Sequence, residues 1–172
     1  MDLDQLTACE SLAQGALRIQ VAIADIDALV ELGSPIFSHA RLNTTTVHIR
    51  TNFSMLPERL STDLTSLNPH QNRLALVTDM VFDAEGVLTQ STLHRALVRN
   101  QAKLAYDAVS DWIDGSSELP AAAAAAVPGM AVQLRLQDAL AQRLRTLRHA
   151  QGSLEFERSQ PRAVFEGTRV VD

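Results

Sequence analysis

RLALVTDMVF, DAEG and LTQSTLHRALVRN occupy residues 73–82, 83–86 and 88–100 of a chain of 172 residues. The first and third segments are rich in β-branched and aliphatic residues, which favours strands. The short segment between them ends at Gly86, a residue that readily adopts the positive φ of a tight turn. The sequence therefore predicts a long antiparallel hairpin from Arg73 to Asn100.

The residues before this hairpin predict further short elements. Leu17 to Ala24 reads LRIQVAIA, a largely apolar run typical of a strand buried on nearly both faces. Ser34 followed by Pro35 predicts the cap and first residue of a helix that reaches about Arg41. The β-branched run from Thr44 to Ile49 predicts a strand, and Met55-Leu56-Pro57-Glu58 predicts the start of a one- or two-turn helix.

The residues after the hairpin predict mainly helices. Apolar residues spaced three and four apart predict a helix from Tyr106 to Asp114, and a leucine stripe predicts a long one from Met130 to Arg148. Six alanines between two prolines predict a linker or weak helix. Short strands are expected around Leu154 to Phe156 and Ala163 to Phe165. Together these elements predict an α+β fold with a mixed, mainly antiparallel sheet and outer helices.

Composition restricts the function classes. The chain is 46% hydrophobic and 20% charged, which is typical of a globular domain, and its length fits a single domain over residues 1–172. Its net charge of −5 argues against a protein that binds nucleic acid mainly through an excess of positive charge. The single cysteine, Cys9, and the lack of a leader predict the cytoplasm, and no apolar run is long enough for a membrane span.

Two carboxylates stand at the start of the chain. On an extended segment Asp2 and Asp4 point to the same side, where two acids repel each other unless a cation joins them. Mg²⁺ prefers carboxylate oxygens and suits the hydrolysis of a phosphodiester. Spacing alone, however, is a weak signal, because an Asp-x-Asp near a terminus is most often a solvated acidic edge or a helix cap.

A set of ordered motifs gives this pair a context. They are Asp2-Leu3-Asp4-Gln5-Leu6, Val21-Ala22-Ile23-Ala24-Asp25, Gly33-Ser34, Thr45-Thr46-Val47-His48, Met55-Leu56-Pro57-Glu58-Arg59-Leu60-Ser61, Ser66-Leu67-Asn68-Pro69, Arg73-Leu74-Ala75 and Ala102-Lys103-Leu104-Ala105-Tyr106. In order and spacing the chain resembles the catalytic domain of the ribonuclease II and ribonuclease R family over most of residues 2–113.

The resemblance implies a 3′→5′ exoribonuclease that hydrolyses single-stranded RNA to nucleoside 5′-monophosphates, with Mg²⁺ held by an aspartate cluster. Asp2 and Asp4 match the first two positions of the family's Asp-x-Asp-Asp motif, and Asp4 is the residue we expect to be indispensable. Gln5 stands at the third position, where an amide oxygen ligates a metal without adding charge. His48 stands where the family has an RNA-stacking tyrosine, which favours contact with RNA and a shifted final product length, and a half-buried strand residue without that contact is an equally open alternative.

The resemblance also implies parts that this chain lacks. The family's upstream aspartate would precede Met1, and the later segments that stabilise the transition state would follow residue 172. We therefore expect the front part of a catalytic domain, which needs the remainder of that domain as a partner and does not turn over RNA alone. Two alternatives stay open: a catalytically inactive RNA- or protein-binding pseudo-enzyme or subunit with the same fold, favoured by Gln5, and one polypeptide of a split enzyme.

Several other residues predict structure rather than chemistry. Asp25 is expected to form an Asx-type turn, and Trp112 to anchor a core more than to stack on a base. Cys9 has no histidine at catalytic spacing. The arginine-flanked helix from Met130 is expected to pack through its leucines first, with its charges solvated.

Overall fold

The structure, a computed structural model, describes residues 3–48, 52–154, 165–166 and 169–170. Its strands and helices follow in chain order: β1 (Gln5–Ser11), β2 (Leu17–Ala24), α1 (Pro35–Asn43), β3 (Val47–His48), β4 (Asn52–Phe53), β5 (Asn72–Phe82), β6 (Leu88–Arg99), α2 (Tyr106–Ile113), α3 (Ala121–Ala126), α4 (Met130–Ala150), β7 (Phe165–Glu166) and β8 (Arg169–Val170). The predicted mixture of a mainly antiparallel sheet and outer helices is confirmed.

The main sheet has four antiparallel strands in the order β1-β2-β5-β6. Its centre is the pairing of β2 with β5, which runs from Leu17 opposite Phe82 to Ala24 opposite Ala75. The predicted hairpin joins β5 to β6, and Gly86 takes a φ of +86° in its turn. The Asp83 carboxylate stabilises this turn because its Oδ1 accepts hydrogen bonds from the amides of Glu85 at 3.0 Å and Val87 at 2.8 Å.

One face of the sheet carries the main apolar core. Small residues on β2 and β5 leave room for Leu67, whose exposed fraction is 1%. The buried members of this core are Ala22, Ala24, Leu67, Ala75 and Val77. Burial of a leucine side chain contributes about 1.5–3 kcal/mol. The segment before β5 is therefore held firmly against the end of the sheet where β1 begins.

The segment between β2 and β5 forms a second, smaller core. As predicted, the Ser34 hydroxyl caps α1 by accepting a hydrogen bond from the Phe37 amide at 3.1 Å. The strand predicted from Thr44 to Ile49 is shorter, because Thr44 ends α1 with a φ of +62° and only Val47–His48 pairs, while residue 49 lies outside the described residues. The helix predicted after Pro57 is present, and it includes a π-helical turn over Leu60–Leu64.

The later helices cover the sheet from the side of β1. Leu140 of α4 is buried, and Gln137 of α4 accepts a hydrogen bond from the Thr7 hydroxyl of β1 at 2.7 Å. The six alanines form a short helix, α3, with Ala123 buried. None of the described helices is long and apolar enough to cross a membrane.

The predicted closing strands are only partly covered by the structure. Leu154 lies outside any strand, and residues 155–164 are not described. Phe165 belongs to a two-residue strand, β7, which pairs antiparallel with β8.

Candidate active site

Asp4 lies directly before β1 and is exposed. Its backbone is fixed, because its carbonyl oxygen accepts a hydrogen bond from the Ala24 amide at 2.9 Å. Asp2 lies outside the described residues. The site that the structure describes therefore begins with one solvent-facing carboxylate on an anchored backbone.

Leu3, the residue between the two aspartates, is held from the opposite side. Its amide donates to the Ser66 hydroxyl at 3.0 Å, and its carbonyl accepts from the Leu67 amide at 2.7 Å. The carbonyl of Asp4, by contrast, is bonded to β2 through Ala24. Hydrogen bonds that alternate from side to side are typical of an extended strand. This geometry supports the expectation that Asp2 and Asp4 share one side, which stays a prediction.

Gln5 opens β1 and contacts a residue far along the chain. Its side-chain amide nitrogen, Nε2, donates a hydrogen bond to the Tyr106 hydroxyl at 2.7 Å. This bond leaves the amide oxygen, the atom of Gln5 suited to a metal or a water, uninvolved. Gln5 is thus oriented by a hydroxyl from the first turn of α2.

Tyr106 is a site residue that sequence reasoning missed. It begins α2 with 81% of its surface exposed, although large aromatic side chains are usually buried to a greater extent. We had interpreted it as the first residue of an amphipathic helix. The signal that could have found it was the motif Ala102-Lys103-Leu104-Ala105-Tyr106, which belongs to the family resemblance but was given no chemical role.

His48 lies in β3, opposite Asn52 of β4. The structure describes its backbone, whereas its side chain lies outside the described part of the chain. Its contact with RNA therefore stays a prediction.

Asp25 plays a different part from the predicted turn. It precedes the short 3₁₀ helix Ile26–Ala28 without capping it, so the Asx-type prediction is wrong. The carboxylate is buried, and its Oδ2 lies 2.8 Å from Nε of Arg95, an ion pair without hydrogen-bond geometry. Arg95 also contacts Asp27 at 2.6 Å. A buried carboxylate needs such a partner, and the sequence could not show that β6 supplies it.

The donor atoms at the site fit a hard cation in kind. Asp4 and Gln5 offer carboxylate and amide oxygens, the ligands that Mg²⁺ accepts while it keeps several waters. Within the described residues no group of three or more His, Cys, Asp or Glu side chains could hold a metal ion. Among the described residues, Asp4 and Gln5 therefore offer oxygen donors of the kind that a hard cation accepts, and the predicted Mg²⁺ site stays a prediction.

The remaining candidates serve the fold. Cys9 is buried, and this burial raises the pKa of its thiol, so the thiol stays neutral and is a poor nucleophile. The guanidinium of Arg135 lies 4.2 Å from the ring centre of Trp112, which ties α4 to α2. Arg143 of α4 donates a hydrogen bond to the carbonyl of Ala84 in the hairpin turn. These contacts support the structural interpretation of Trp112 and of part of the arginine-bearing helix.

Comparison with known proteins extends the likeness to the whole chain. The model of the RNB domain matches residues 1–172. Ribonuclease R of Mycoplasma pneumoniae is 30% identical over 150 residues, which are 86% of this chain and 20% of that protein. Exoribonuclease 2 of Salmonella heidelberg is 38% identical over 117 residues, which are 67% of this chain and 18% of that protein. The chain thus spans about a fifth of the length of these curated relatives.

A solved structure shows the same arrangement of elements. Mycoplasma genitalium RNase R, in complex with ribose-methylated single-stranded RNA, superposes with a TM-score of 0.88 at 26% identity. The match covers 96% of this chain and 25% of that protein. The four-stranded sheet and its helices are therefore those of a known nuclease fold.

Proposed function

This chain belongs to the RNB domain family, and from that premise we propose that it carries part of a 3′→5′ exoribonuclease site that hydrolyses single-stranded RNA to nucleoside 5′-monophosphates. The observation that carries the proposal is Asp4, an exposed carboxylate on a backbone anchored to β2. Relatives named as ribonuclease R and exoribonuclease 2 support the reaction class. A relative solved with single-stranded RNA supports the substrate.

The cofactor we propose is Mg²⁺, held by Asp2 and Asp4 with Gln5 as a neutral oxygen donor. Mg²⁺ bound there would supply charge neutralisation at the phosphate and a water of lowered pKa. Asp4 concentrates negative charge at a fixed position, since the backbone on both sides of Leu3 is tied down. The Tyr106 hydroxyl accepts a hydrogen bond from the amide nitrogen of Gln5, so the amide oxygen is the atom of Gln5 that would ligate the cation.

His48 is proposed to stack on RNA near the 3′ end. A histidine ring offers less stacking area than the tyrosine of the family, so it should release the shortening RNA earlier. The length of the final product reports on this contact: His48→Tyr should shorten the limit product, and an unchanged ladder would remove His48 from the site.

We propose that turnover requires more than this chain, because the chain covers about a fifth of its relatives' length. The partners implied are the remainder of the catalytic domain and single-stranded RNA. The single cysteine, which is buried, suits the reducing cytoplasm that the composition predicts.

The test uses the full-length gene product and a 5′-labelled single-stranded RNA with a free or a blocked 3′ end. The proposal predicts Mg²⁺-dependent shortening of the free RNA in single-nucleotide steps, with nucleoside 5′-monophosphates as the released product. The RNA with the blocked 3′ end should not be shortened. Internal cleavage of both RNAs, or release of nucleoside 3′-monophosphates, would contradict the proposed reaction.

One observation favours a second candidate, an RNA-binding pseudo-enzyme. Gln5 lacks the charge of the family's aspartate, and its side chain is engaged with Tyr106. Retention of Asp4 as an exposed carboxylate weighs against this candidate. A pseudo-enzyme would bind the labelled RNA and leave it intact at every Mg²⁺ concentration. The same assay with the 5′-labelled RNA therefore separates the two candidate functions.

A further inference from the structure

Ser66 is a fully buried residue whose hydroxyl serves the segment that carries the aspartates. Its exposed fraction is 0%. The hydroxyl accepts a hydrogen bond from the Leu3 amide at 3.0 Å and donates one to Oδ1 of Asn68 at 3.3 Å. Both functions of the hydroxyl are used, as expected of a buried polar group.

The peptide groups bonded here are those that join the two aspartates. The Leu3 amide belongs to the peptide between Asp2 and Leu3, and the Leu3 carbonyl belongs to the peptide between Leu3 and Asp4. The carbonyl accepts from the Leu67 amide at 2.7 Å. Ser66 and Leu67 therefore hold the amide and the carbonyl of Leu3, the residue that directly precedes Asp4.

The loop that holds this segment is itself held from three directions. Nε of Arg73 donates to the Ser66 carbonyl at 3.2 Å, and Nδ2 of Asn100 donates to the Leu67 carbonyl at 2.8 Å. The Leu67 side chain is buried in the main core. The loop thus provides a rigid reference for Leu3, because it is tied to both strands of the long hairpin and to the core.

We propose that Ser66 is a positioning residue that, through the Leu3 amide, fixes the backbone from which the Asp4 carboxylate projects. The inference rests on the proposed function, in which Asp4 helps to hold the cation. Catalytic groups must keep their productive geometry within about 0.5 Å, and residues behind the metal ligands supply that restraint. Ser66 touches the backbone between the ligands and does so from a site that excludes water.

The test compares Ser66→Ala with Thr65→Val in the full-length gene product. Thr65 is the matched control: it is also buried in this loop, and its hydroxyl donates to the Leu60 carbonyl at 2.9 Å rather than to the aspartate segment. Thr65→Val loses one buried hydrogen bond and Ser66→Ala loses two, of which the bond from the Leu3 amide is the one that serves the aspartate segment. We expect Ser66→Ala to raise the Mg²⁺ concentration for half-maximal activity by roughly 10-fold or more. At saturating Mg²⁺ kcat should recover, and Thr65→Val should leave the Mg²⁺ requirement unchanged.

Direct binding of Mn²⁺, followed by electron paramagnetic resonance without RNA, gives a readout independent of turnover. Ser66→Ala should weaken Mn²⁺ binding, whereas Thr65→Val should bind it as the parent protein does. Asn68→Ala keeps the Ser66 hydroxyl and removes its acceptor, together with the hydrogen bond from Nδ2 of Asn68 to the Thr62 carbonyl at 3.4 Å, so it should shift both readouts in the same direction by a smaller factor. This milder variant supplies the test if Ser66→Ala does not fold.

The outcomes separate the two proposals. If Asp4→Asn abolishes activity while Ser66→Ala and Asn68→Ala keep the parent's Mg²⁺ requirement and Mn²⁺ affinity, the positioning role is wrong and the proposed function stands. Equal shifts in Ser66→Ala and Thr65→Val would likewise reduce Ser66 to a general contributor to stability. If the parent protein neither releases nucleotides nor binds Mn²⁺, the proposed function fails and the positioning role fails with it.

Discussion

Asp4 and Gln5 are adjacent in sequence and differ in what they offer a cation. Asp4 brings a full negative charge to an exposed position, whereas Gln5 brings only the partial charge of an amide oxygen. Gln5 lacks the charge of the family's aspartate, yet the hydrogen bond to Tyr106 orients its side-chain amide. The affinity of the site for Mg²⁺ should therefore be limited by charge.

Gln5→Asp tests that limit. The substitution adds a negative charge beside Asp4, so we expect a several-fold lower Mg²⁺ concentration for half-maximal nucleotide release. Tyr106→Phe in the parent background is the control for the lost hydrogen bond, because it frees Gln5 without changing the charge. A Mg²⁺ requirement that stays the same or rises in Gln5→Asp would show that charge at this position does not limit the site.

Whether the role of a residue could be predicted depends on how far along the chain its partners lie. Asp4 was predicted from a local motif, and the structure places it exposed directly before β1. Tyr106 was predicted correctly as the start of a helix, but its contact with Gln5 was not predicted, and the role predicted for Asp25 is wrong because its carboxylate pairs with Arg95 of β6. A sequence motif reports the kind of residue and its spacing, whereas contacts between residues far apart in the chain depend on how the elements pack.

Among the elements, the hairpin turn and α4 depend on each other at Gly86. A Cβ added there would lie 2.8 Å from Cδ of Arg143, and the φ of +86° would strain any other side chain. Arg143 would have to move, and its hydrogen bond to the Ala84 carbonyl would be lost. The turn therefore needs glycine for its conformation and for its contact with α4.

We expect Gly86→Ala to lower the free energy of unfolding by more than about 1 kcal/mol, measured by denaturant titration. Gly115→Ala is the matched control, because Gly115 also has a positive φ, +78°, yet a Cβ there would meet nothing within 4 Å. Gly115→Ala should therefore cost less. Equal losses in the two variants would show that the contact with Arg143 does not contribute.

Elements with a strong hydrophobic periodicity, or with residues that mark a turn or a helix start, were predicted well. The bounds of β2 were predicted as Leu17 to Ala24, and the hairpin and the start of α1 followed from Gly86 and Ser34. The strand at Thr44 was predicted too long, because β-branched residues favour strands locally while the left-handed cap of α1 takes Thr44 in the structure. At Thr44 the end of α1 determines the backbone conformation, and the local preference of a β-branched residue for a strand does not.

Over the whole molecule, a polar network on the sheet makes stability depend on pH. Asp79 of β5 is buried, and Nε of Arg18 on β2 donates to its Oδ1 at 2.9 Å. These bonds, with help from Gln20, hold the pKa of the Asp79 carboxyl below its ordinary value of 3.8, against the opposing effect of burial. The ionised carboxylate therefore stabilises the folded state above pH 3.8, and this stabilisation is lost as the pH falls through the lowered pKa.

Asp79→Asn removes the titrating group. We expect the variant to be less stable than the parent at neutral pH and to lose less stability on acidification, as followed by thermal unfolding at a series of pH values. Asp111→Asn on the exposed face of α2 is the control and should keep the parent's pH profile. A variant at Asp79 with the parent's acid dependence would contradict the assignment.

At the same scale, the fold brings one end of the sheet, a buried loop and the first turn of α2 to the segment from Leu3 to Gln5. The fold class and the family likeness were predictable from ordered motifs that span most of the chain. The hydrogen bonds that immobilise the aspartate segment were not predictable, since they join Leu3 to Ser66 and Leu67. The position of the aspartate segment therefore depends on these long-range hydrogen bonds more than on the Asp-x-Asp spacing.

The most direct measurement of the central claim is the rate at which the full-length gene product releases nucleoside 5′-monophosphates from single-stranded RNA in Mg²⁺, compared with Asp4→Asn and the control Asp111→Asn. The proposed role of Asp4 as a metal ligand predicts that Asp4→Asn loses more activity than the roughly 10–100-fold typical of residues one layer behind a metal. Asp111→Asn should keep the parent's rate. Equal rates for Asp4→Asn and the parent protein would contradict it.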